Sequence, residues 1–255
     1  MSAPYVIEAR NLKVVYNEGT PNEVVALDLD RDNFCFNVLQ GQTIILTGGN
    51  GSGKSTLVKA IAGMAPVKSG SVFIHGKDVT GWPAYRRAKH IGFVHQDPML
   101  GTCPNLTVHE NFQISLEKPW WLPTPYPLTL TKGQLDSIEK IGLPLAEKKT
   151  TQLNMLSGGQ RQSIALCLAL RKGSILLLDE FTSALDEQTK KAVLLYALSE
   201  AKAMKATVIM ITHDLTLARE LGKESGNVVL TMVGGRFQQV MAIKREISDG
   251  IFRLY

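Results

Sequence analysis

The residues whose types and spacing carry the clearest chemistry are Gly48-Gly49-Asn50-Gly51-Ser52-Gly53-Lys54-Ser55, which satisfy the pattern G-x-x-x-x-G-K-[ST]. Glycine reaches positive φ without steric cost, so successive backbone N–H groups can converge into an anion nest. The stretch before the pattern reads as an apolar strand and the stretch after it, through Met64, as an amphipathic helix. The N-terminus of such a helix adds partial positive charge toward a bound anion. In this arrangement Lys54 is expected to reach the β- and γ-phosphates of a nucleoside triphosphate, Ser55 to ligate Mg²⁺, and Thr56 to contact the α-phosphate region. Average composition produces the pattern by chance in roughly 1 chain of this length in 100. It therefore names a ligand class but not a reaction, because kinases, GTPases and motor ATPases share it.

A second group of acidic residues narrows the reaction. Ile175-Leu176-Leu177-Leu178 reads as a buried central strand, and Asp179-Glu180 stand at its C-terminal end, where open α/β sheets bind their ligands. Asp179 suits a direct or water-mediated Mg²⁺ contact. Glu180, one residue on, suits orienting or deprotonating a water that attacks the γ-phosphate. A carboxylate in that place argues for hydrolysis rather than transfer to a hydroxyl acceptor. His213 follows a further apolar strand, Val208 to Thr212, and a lone histidine there would more often be structural.

Leu156-Ser157-Gly158-Gly159-Gln160 provides a second anion site, a serine and two glycines at the tip of a helix. Average composition yields this pentapeptide in well under about 1 chain in 1,000. With it the sequence resembles the ABC ATPase family over nearly its whole length. The resemblance implies that Ser157, Gly158, Gly159 and Gln160 bind the γ-phosphate held by the phosphate loop (Gly48 to Thr56) of an opposite subunit. It further implies that Gln96 is the glutamine-loop residue that senses Mg²⁺ and water, and that Ser183-Ala184-Leu185-Asp186 is the loop crossing a dimer interface, with Asp186 at the opposite site. His213 corresponds to the switch histidine at the γ-phosphate, and Tyr16 to the aromatic side chain that stacks on adenine. The implied catalytic set is Glu180, His213 and Gln96, with Ser55, Gln96 and Asp179 around Mg²⁺ and ATP as the nucleotide.

The match has departures. Phe181 and Gly49 stand where the family commonly has proline, and Ser163 and Leu168 where many members have arginine. None removes a group that ATP chemistry needs. The stretches QDPMLGTCPNLTVHENF, LSGGQRQ and DEFTSALD are similar to ATPases of amino-acid importers, aromatic amino acids among them, that use an extracytoplasmic binding protein. The expected partners are a second copy of the chain, a transmembrane permease and, for an importer, that binding protein, with no nucleic acid. The expected location is the cytoplasmic face of a membrane. Two rivals stand beside this reading: an ABC-type ATPase not coupled to transport, and a regulator that binds ATP without turnover.

The elements that must position these residues read as an α/β chain of 255 residues, a phosphate-loop (RecA-like) core with a mainly parallel sheet, an antiparallel β subdomain and an inserted helical subdomain. Short β-like stretches are expected at Tyr5 to Ala9, Leu12 to Tyr16 and Phe34 to Val38, a hairpin over Ser69 to Val79, and a strand leading to Gln96. The helical insertion is expected over 98–170, between core segments 1–97 and 171–255, with helices at Val108 to Leu116 and Gln134 to Ile141. The Trp120-Trp121 pair lies among prolines there, either in a rigid loop or in a lipid or permease contact. A helix from Glu187 to Ala203 and a final hairpin at Gly234-Gly235 complete the chain. Three scattered cysteines (Cys35, Cys103, Cys167) read as reduced thiols, and the net charge of +5 is spread over a solvated surface. The opening residues show no signal-peptide pattern, and no apolar run approaches the roughly 20 residues that cross a bilayer.

Overall fold

The computed structural model describes residues 5–30, 34–115, 146–171, 173–183, 185–224 and 226–242. Two sheets organise them. The first holds β1 (Tyr5–Tyr16), β2 (Val24–Asp28), β3 (Cys35–Leu39), β5 (Val67–Ile74) and β6 (Lys77–Asp78), all antiparallel, in the order β2-β1-β5-β6 with β3 also paired to β1. The second runs β11-β10-β4-β9-β8-β7, built from β4 (Thr43–Thr47), β7 (Ile91–Val94), β8 (Ile175–Asp179), β9 (Thr207–Ile211), β10 (Asn227–Val233) and β11 (Arg236–Ala242). Its pairs are parallel except β10 with β11. The described helices are α1 (Lys54–Ala62), α2 (Ala84–Arg87), α3 (Val108–Ile114), α4 (Gly158–Leu170), α5 (Glu187–Ala203) and α6 (Leu215–Leu221).

The period-2 geometry of strands sorts the apolar runs onto two faces. Leu176 and Leu178 of β8, Val208 and Met210 of β9, and Ile45 of β4 join one core with residues of α3, α4, α5 and α6. Their alternates Ile175, Leu177, Ile209, Ile211, Ile44 and Leu46 join a second core with α1 and the antiparallel sheet. The parallel sheet is thus covered on both sides, which is why its strands are apolar throughout rather than alternating. Each such side chain, fully buried, stabilises the fold by about 1.5–3 kcal/mol.

Local differences from the sequence expectations have physical causes. The two β-like stretches at Tyr5 to Ala9 and Leu12 to Tyr16 form one strand, because Asn11 takes a left-handed conformation (φ 51°) that asparagine tolerates and pairing continues beyond it. Strand β2 has no counterpart in the expectations: Val24 and Val25 are exposed at the sheet edge, so no buried alternation marks it. The helix expected at Val108 to Leu116 is α3, opened by a capping box in which the Thr107 side chain accepts from the Glu110 N–H and Glu110 reaches back to the Thr107 N–H. The helix expected at Gln134 to Ile141 and the Trp120-Trp121 pair lie outside the described residues.

Candidate active site

The phosphate loop runs from the end of β4 into α1 and is held from behind by the last hairpin. The Gly235 N–H donates to the Ser52 carbonyl at 3.0 Å, while the Gly235 carbonyl accepts from the Asp28 N–H of β2 at 3.1 Å. A Cβ on Gly48 (φ 139°) would lie 2.2 Å from the Met232 carbonyl oxygen, and one on Gly53 (φ 96°) 2.7 Å from the Ala26 carbonyl oxygen. Glycine at these two positions is therefore required twice over, by conformation and by space. Gly49 and Gly51, by contrast, have nothing within 4 Å of where a Cβ would be, and with Asn50 they face open space.

Helix α1 starts at Lys54, and its N-cap, Gly53, supplies no capping side chain. Four other helices are capped by their own residues: α3 by Thr107, α4 by Ser157, α5 by Asp186 and α6 by Asp214. The first-turn donors of α1, at Lys54, Ser55 and Thr56, therefore meet no capping side chain and are available to a ligand. Lys54 is buried and folds back into the loop, donating to the carbonyls of Gly48 and Gly49, each at 2.9 Å, and to Ser52 Oγ at 3.2 Å. Burial pushes its ammonium below the usual lysine range, against the pull of Glu180 and Asp179. An ammonium surrounded by oxygens beside an uncapped helix N-terminus fits a polyphosphate, whose oxygens supply the same acceptors with charge.

The carboxylates stand where the strands end. Asp179 closes β8 and accepts from Ser55 Oγ through Oδ1 at 2.8 Å. A hydroxyl and a carboxylate at hydrogen-bond distance are hard oxygen donors, the ligand type that Mg²⁺ takes alongside water and phosphate. Glu180 is a non-glycine residue at φ 47°, a conformation that turns its side chain away from the strand direction. Its Oε1 meets His213 Nε2 at 2.6 Å, and His213 arrives at the end of β9, the strand beside β8. Phe181, in place of the family's proline, is fully buried in the core.

The remaining sequence-selected residues are placed differently. Gln96 is exposed two residues beyond β7, and among the described residues no hydrogen bond involves its carboxamide. Tyr16 ends β1, half-buried against the core that the antiparallel sheet shares with α1. Ser157 caps α4 in a reciprocal box, its Oγ accepting from the Gln160 N–H at 3.3 Å and Gln160 Oε1 accepting from the Ser157 N–H at 3.2 Å. Lys148 also donates to Gln160 Oε1, at 3.3 Å. Among the described residues none of these bonds reaches the phosphate loop, and Ser157 is exposed while Gly158, Gly159 and Gln160 are half-buried. Gly159 leaves room for Leu185, whose Cδ2 would lie 3.1 Å from an added Cβ. The Asp186 carboxylate accepts from the Thr189 N–H at 3.0 Å, a role in helix α5 that the sequence reading did not anticipate.

Sequence reasoning also missed Gly235 as a support of the phosphate loop. Its only local signal is the Gly234-Gly235 pair, which marks a turn but not what the turn touches. Likewise unforeseen is Arg87, 2% exposed, whose guanidinium donates to the carbonyls of Ala60 and Ile61 at the end of α1 and to those of Thr80 and Trp82.

On one side of α3 and α4 lies a mostly apolar groove of about 420 Å³, lined by Met64, His95, Leu100, Cys103, Ile114 and Leu168 among others. Leu100 is 70% exposed on its rim. No helix among the described residues is long and apolar enough to cross a membrane.

Comparison with known proteins agrees with this arrangement. The model of a family described as ABC transporter matches residues 31–183. The tyrosine transport ATP-binding protein of Clostridioides difficile is 34% identical over 219 residues, 83% of this chain and 85% of that one. The methionine import ATP-binding protein of Bartonella henselae is 30% identical over 227 residues, 87% of this chain and 61% of that one. Among solved structures, a dimeric post-hydrolysis ATP-binding cassette bound to ADP and Pi has a TM-score of 0.76 at 24% identity, covering 94% of this chain and 99% of that chain.

Proposed function

Since this chain belongs to the ABC transporter family, as an ATP-binding and ATP-hydrolysing subunit that uses ATP with Mg²⁺, we propose that two copies of it energise import through a membrane permease. The observation that carries the reading is the division of the site. Lys54, Ser55, Asp179, Glu180 and His213 converge beside an uncapped helix, while among the described residues no hydrogen bond joins Ser157 to Gln160 to any of them on the same chain. A second copy, turned about, brings its 157–160 tip to the phosphate loop of the first.

In this reading the α1 donors and Lys54 grip the β- and γ-phosphates, with Lys54 exchanging its three loop acceptors for phosphate oxygens. Ser55 and Asp179 would hold Mg²⁺, which supplies charge neutralisation on the phosphate oxygens when bound. Glu180 orients the attacking water and takes its proton, and His213 holds the Glu180 carboxylate in place and faces the γ-phosphate. Gln96 reports on metal and water, Tyr16 stacks on adenine, and Asp186 with the signature tip completes the opposite half. Closure then depends on the terminal phosphate, so ATP favours the joined state and hydrolysis releases it.

In this scheme the stretch 98–170, whose described helices are α3 and α4, belongs to a helical subdomain set between the core segments 1–97 and 171–255. The groove beside His95 and Leu100 receives a permease segment, which places the chain at the cytoplasmic face of the membrane. The cargo is an amino acid, an aromatic one first, in support of which stand the likeness to the tyrosine transport protein and the sequence around Gln96; an extracytoplasmic binding protein delivers it.

The test is reconstitution of the chain with the permease encoded beside it. The expected result is ATP-dependent phosphate release that rises when the binding protein and an aromatic amino acid are added, and that Lys54→Ala abolishes by weakening ATP binding. A chain that stays monomeric and inert toward ATP and Mg²⁺ with its permease present would refute the transport reading. Stimulation by sulfate rather than an amino acid would refute the cargo alone.

A further inference from the structure

Two residues past the signature glutamine, Gln162 is turned into the protein and is fully buried. Its Nε2 donates to the backbone carbonyl of His95 at 3.0 Å. Its Oε1 is also buried and, among the described residues, has no hydrogen-bond partner. Buried amides ordinarily satisfy both ends, because an orphaned polar atom is costly. An apolar side chain of the same length would remove the Oε1 orphan but leave the His95 carbonyl without this donor, so what the amide contributes is the single bond to His95.

That bond joins two parts of the candidate site that are far apart in sequence. Gln162 belongs to α4, the helix whose tip is Ser157. His95 immediately precedes Gln96, its ring lies 4.4 Å from the Phe93 ring, and both rings line the groove beside α3 and α4.

We propose that Gln162 is a positioning residue for hydrolysis: it ties the peptide that carries Gln96 to the helix that carries the signature tip. The two then hold one register, and a displacement of His95 by a segment docked in the groove reaches Gln96 and Ser157 together. The inference rests on the ATPase reading of the site given above.

The experiment compares the parent chain with Gln162→Met, which keeps the length without donor or acceptor, and Gln162→Glu. Melting temperature, affinity for a fluorescent ATP analogue, and phosphate release over a Mg²⁺ titration are measured for each. The Met variant is expected to fold and to bind ATP as the parent does, yet to hydrolyse it about 10–100-fold more slowly, the range for a catalytic group displaced by about 1 Å. Its half-saturation for Mg²⁺ moves to higher concentration. The Glu variant recovers activity relative to the parent as pH falls from about 8 to about 6, because a neutral buried carboxyl donates to the His95 carbonyl and an ionised one cannot. The Met variant shows no such recovery.

A folded Gln162→Met with the parent's turnover and Mg²⁺ dependence overturns the proposal. So does a variant that loses melting temperature and ATP affinity together with no pH-dependent recovery in Gln162→Glu, since that is the signature of a structural residue. A parent chain without hydrolysis would instead sink the ATPase reading on which this one stands.

Discussion

His213 Nε2 lies 2.6 Å from Glu180 Oε1, a pairing made by two side chains that follow adjacent parallel strands. Glu180 turns toward it from a left-handed backbone conformation, φ 47°, which costs about 1–3 kcal/mol for a residue other than glycine and persists only where the surroundings enforce it. The Ser183 N–H donating to the Glu180 carbonyl at 3.0 Å is part of that enforcement.

Glu180→Gln keeps the shape and removes the carboxylate proposed as the base. Phosphate release at saturating ATP is expected to fall about 10²–10⁴-fold, with ATP binding retained and an ATP-bound dimer accumulating on gel filtration. His213→Ala frees the carboxylate from its holder and is expected to lower turnover by a similar order. Parental turnover in Glu180→Gln would remove Glu180 from the role of base.

The glycines of the phosphate loop differ in their tolerance. Gly48→Ala places a Cβ 2.2 Å from the Met232 carbonyl oxygen, at φ 139°. It is expected to displace the loop and weaken ATP binding by at least about tenfold, roughly 1.4 kcal/mol. Gly49→Ala, with nothing within 4 Å, is expected to bind ATP within about twofold of the parent. Titration of a fluorescent ATP analogue into both variants compares them directly.

Arg87 supports the site from outside it. Arg87→Met leaves the Ala60, Ile61, Thr80 and Trp82 carbonyls without their guanidinium donor. The Ala60 carbonyl keeps the Gly63 N–H, and the other orphaned groups cost about 1–3 kcal/mol each, so a net loss of about 3–5 kcal/mol is expected after water reaches some of them. Urea unfolding should show it as a lower midpoint. ATP affinity of the folded fraction should change far less than in Gly48→Ala.

Asp214 caps α6, and the Leu217 N–H that it accepts, with help from Lys190, holds its carboxyl below the usual aspartate value. A carboxyl depressed on folding contributes stability that is fully present above its unfolded pKa and is lost as pH falls through the folded one. The Asp214 contribution should therefore be constant from neutral pH down to about 4 and decline below that. Asp214→Asn retains a capping oxygen but cannot titrate, so the difference in melting temperature between parent and variant should shrink as pH drops below about 4. A difference independent of pH would show that the cap acts without its charge.

How much of this was legible beforehand depends on range. The phosphate loop, Asp179-Glu180 and the signature are contiguous, and each couples residue type to local backbone geometry. Glycine at Gly53 and serine at the tip of α4 could be read in place. The bounds of α5, Glu187–Ala203, and the apolar strands β8 and β9 followed from periodicity and burial alone. Strand β2 escaped because an edge strand with exposed valines leaves no periodic trace. Gly235, Arg87 and Gln162 escaped for a different reason, since each acts on a backbone group distant in sequence whose identity no local pattern encodes.

The sequence by itself determined which chemistry is present: a phosphate-binding turn, a pair of carboxylates after a buried strand, and a serine-glycine helix tip, each specified by neighbouring residues. Only the tertiary structure decided which of them meet. Pairing of β8 with β9 sets Glu180 against His213, pairing of β10 with β4 carries Gly235 to the back of the phosphate loop, and packing of α4 on β7 brings Gln162 to His95. Local conformational preference reaches a few residues along the chain, whereas strand order and burial settle contacts between segments that approach one another only once the whole core has formed.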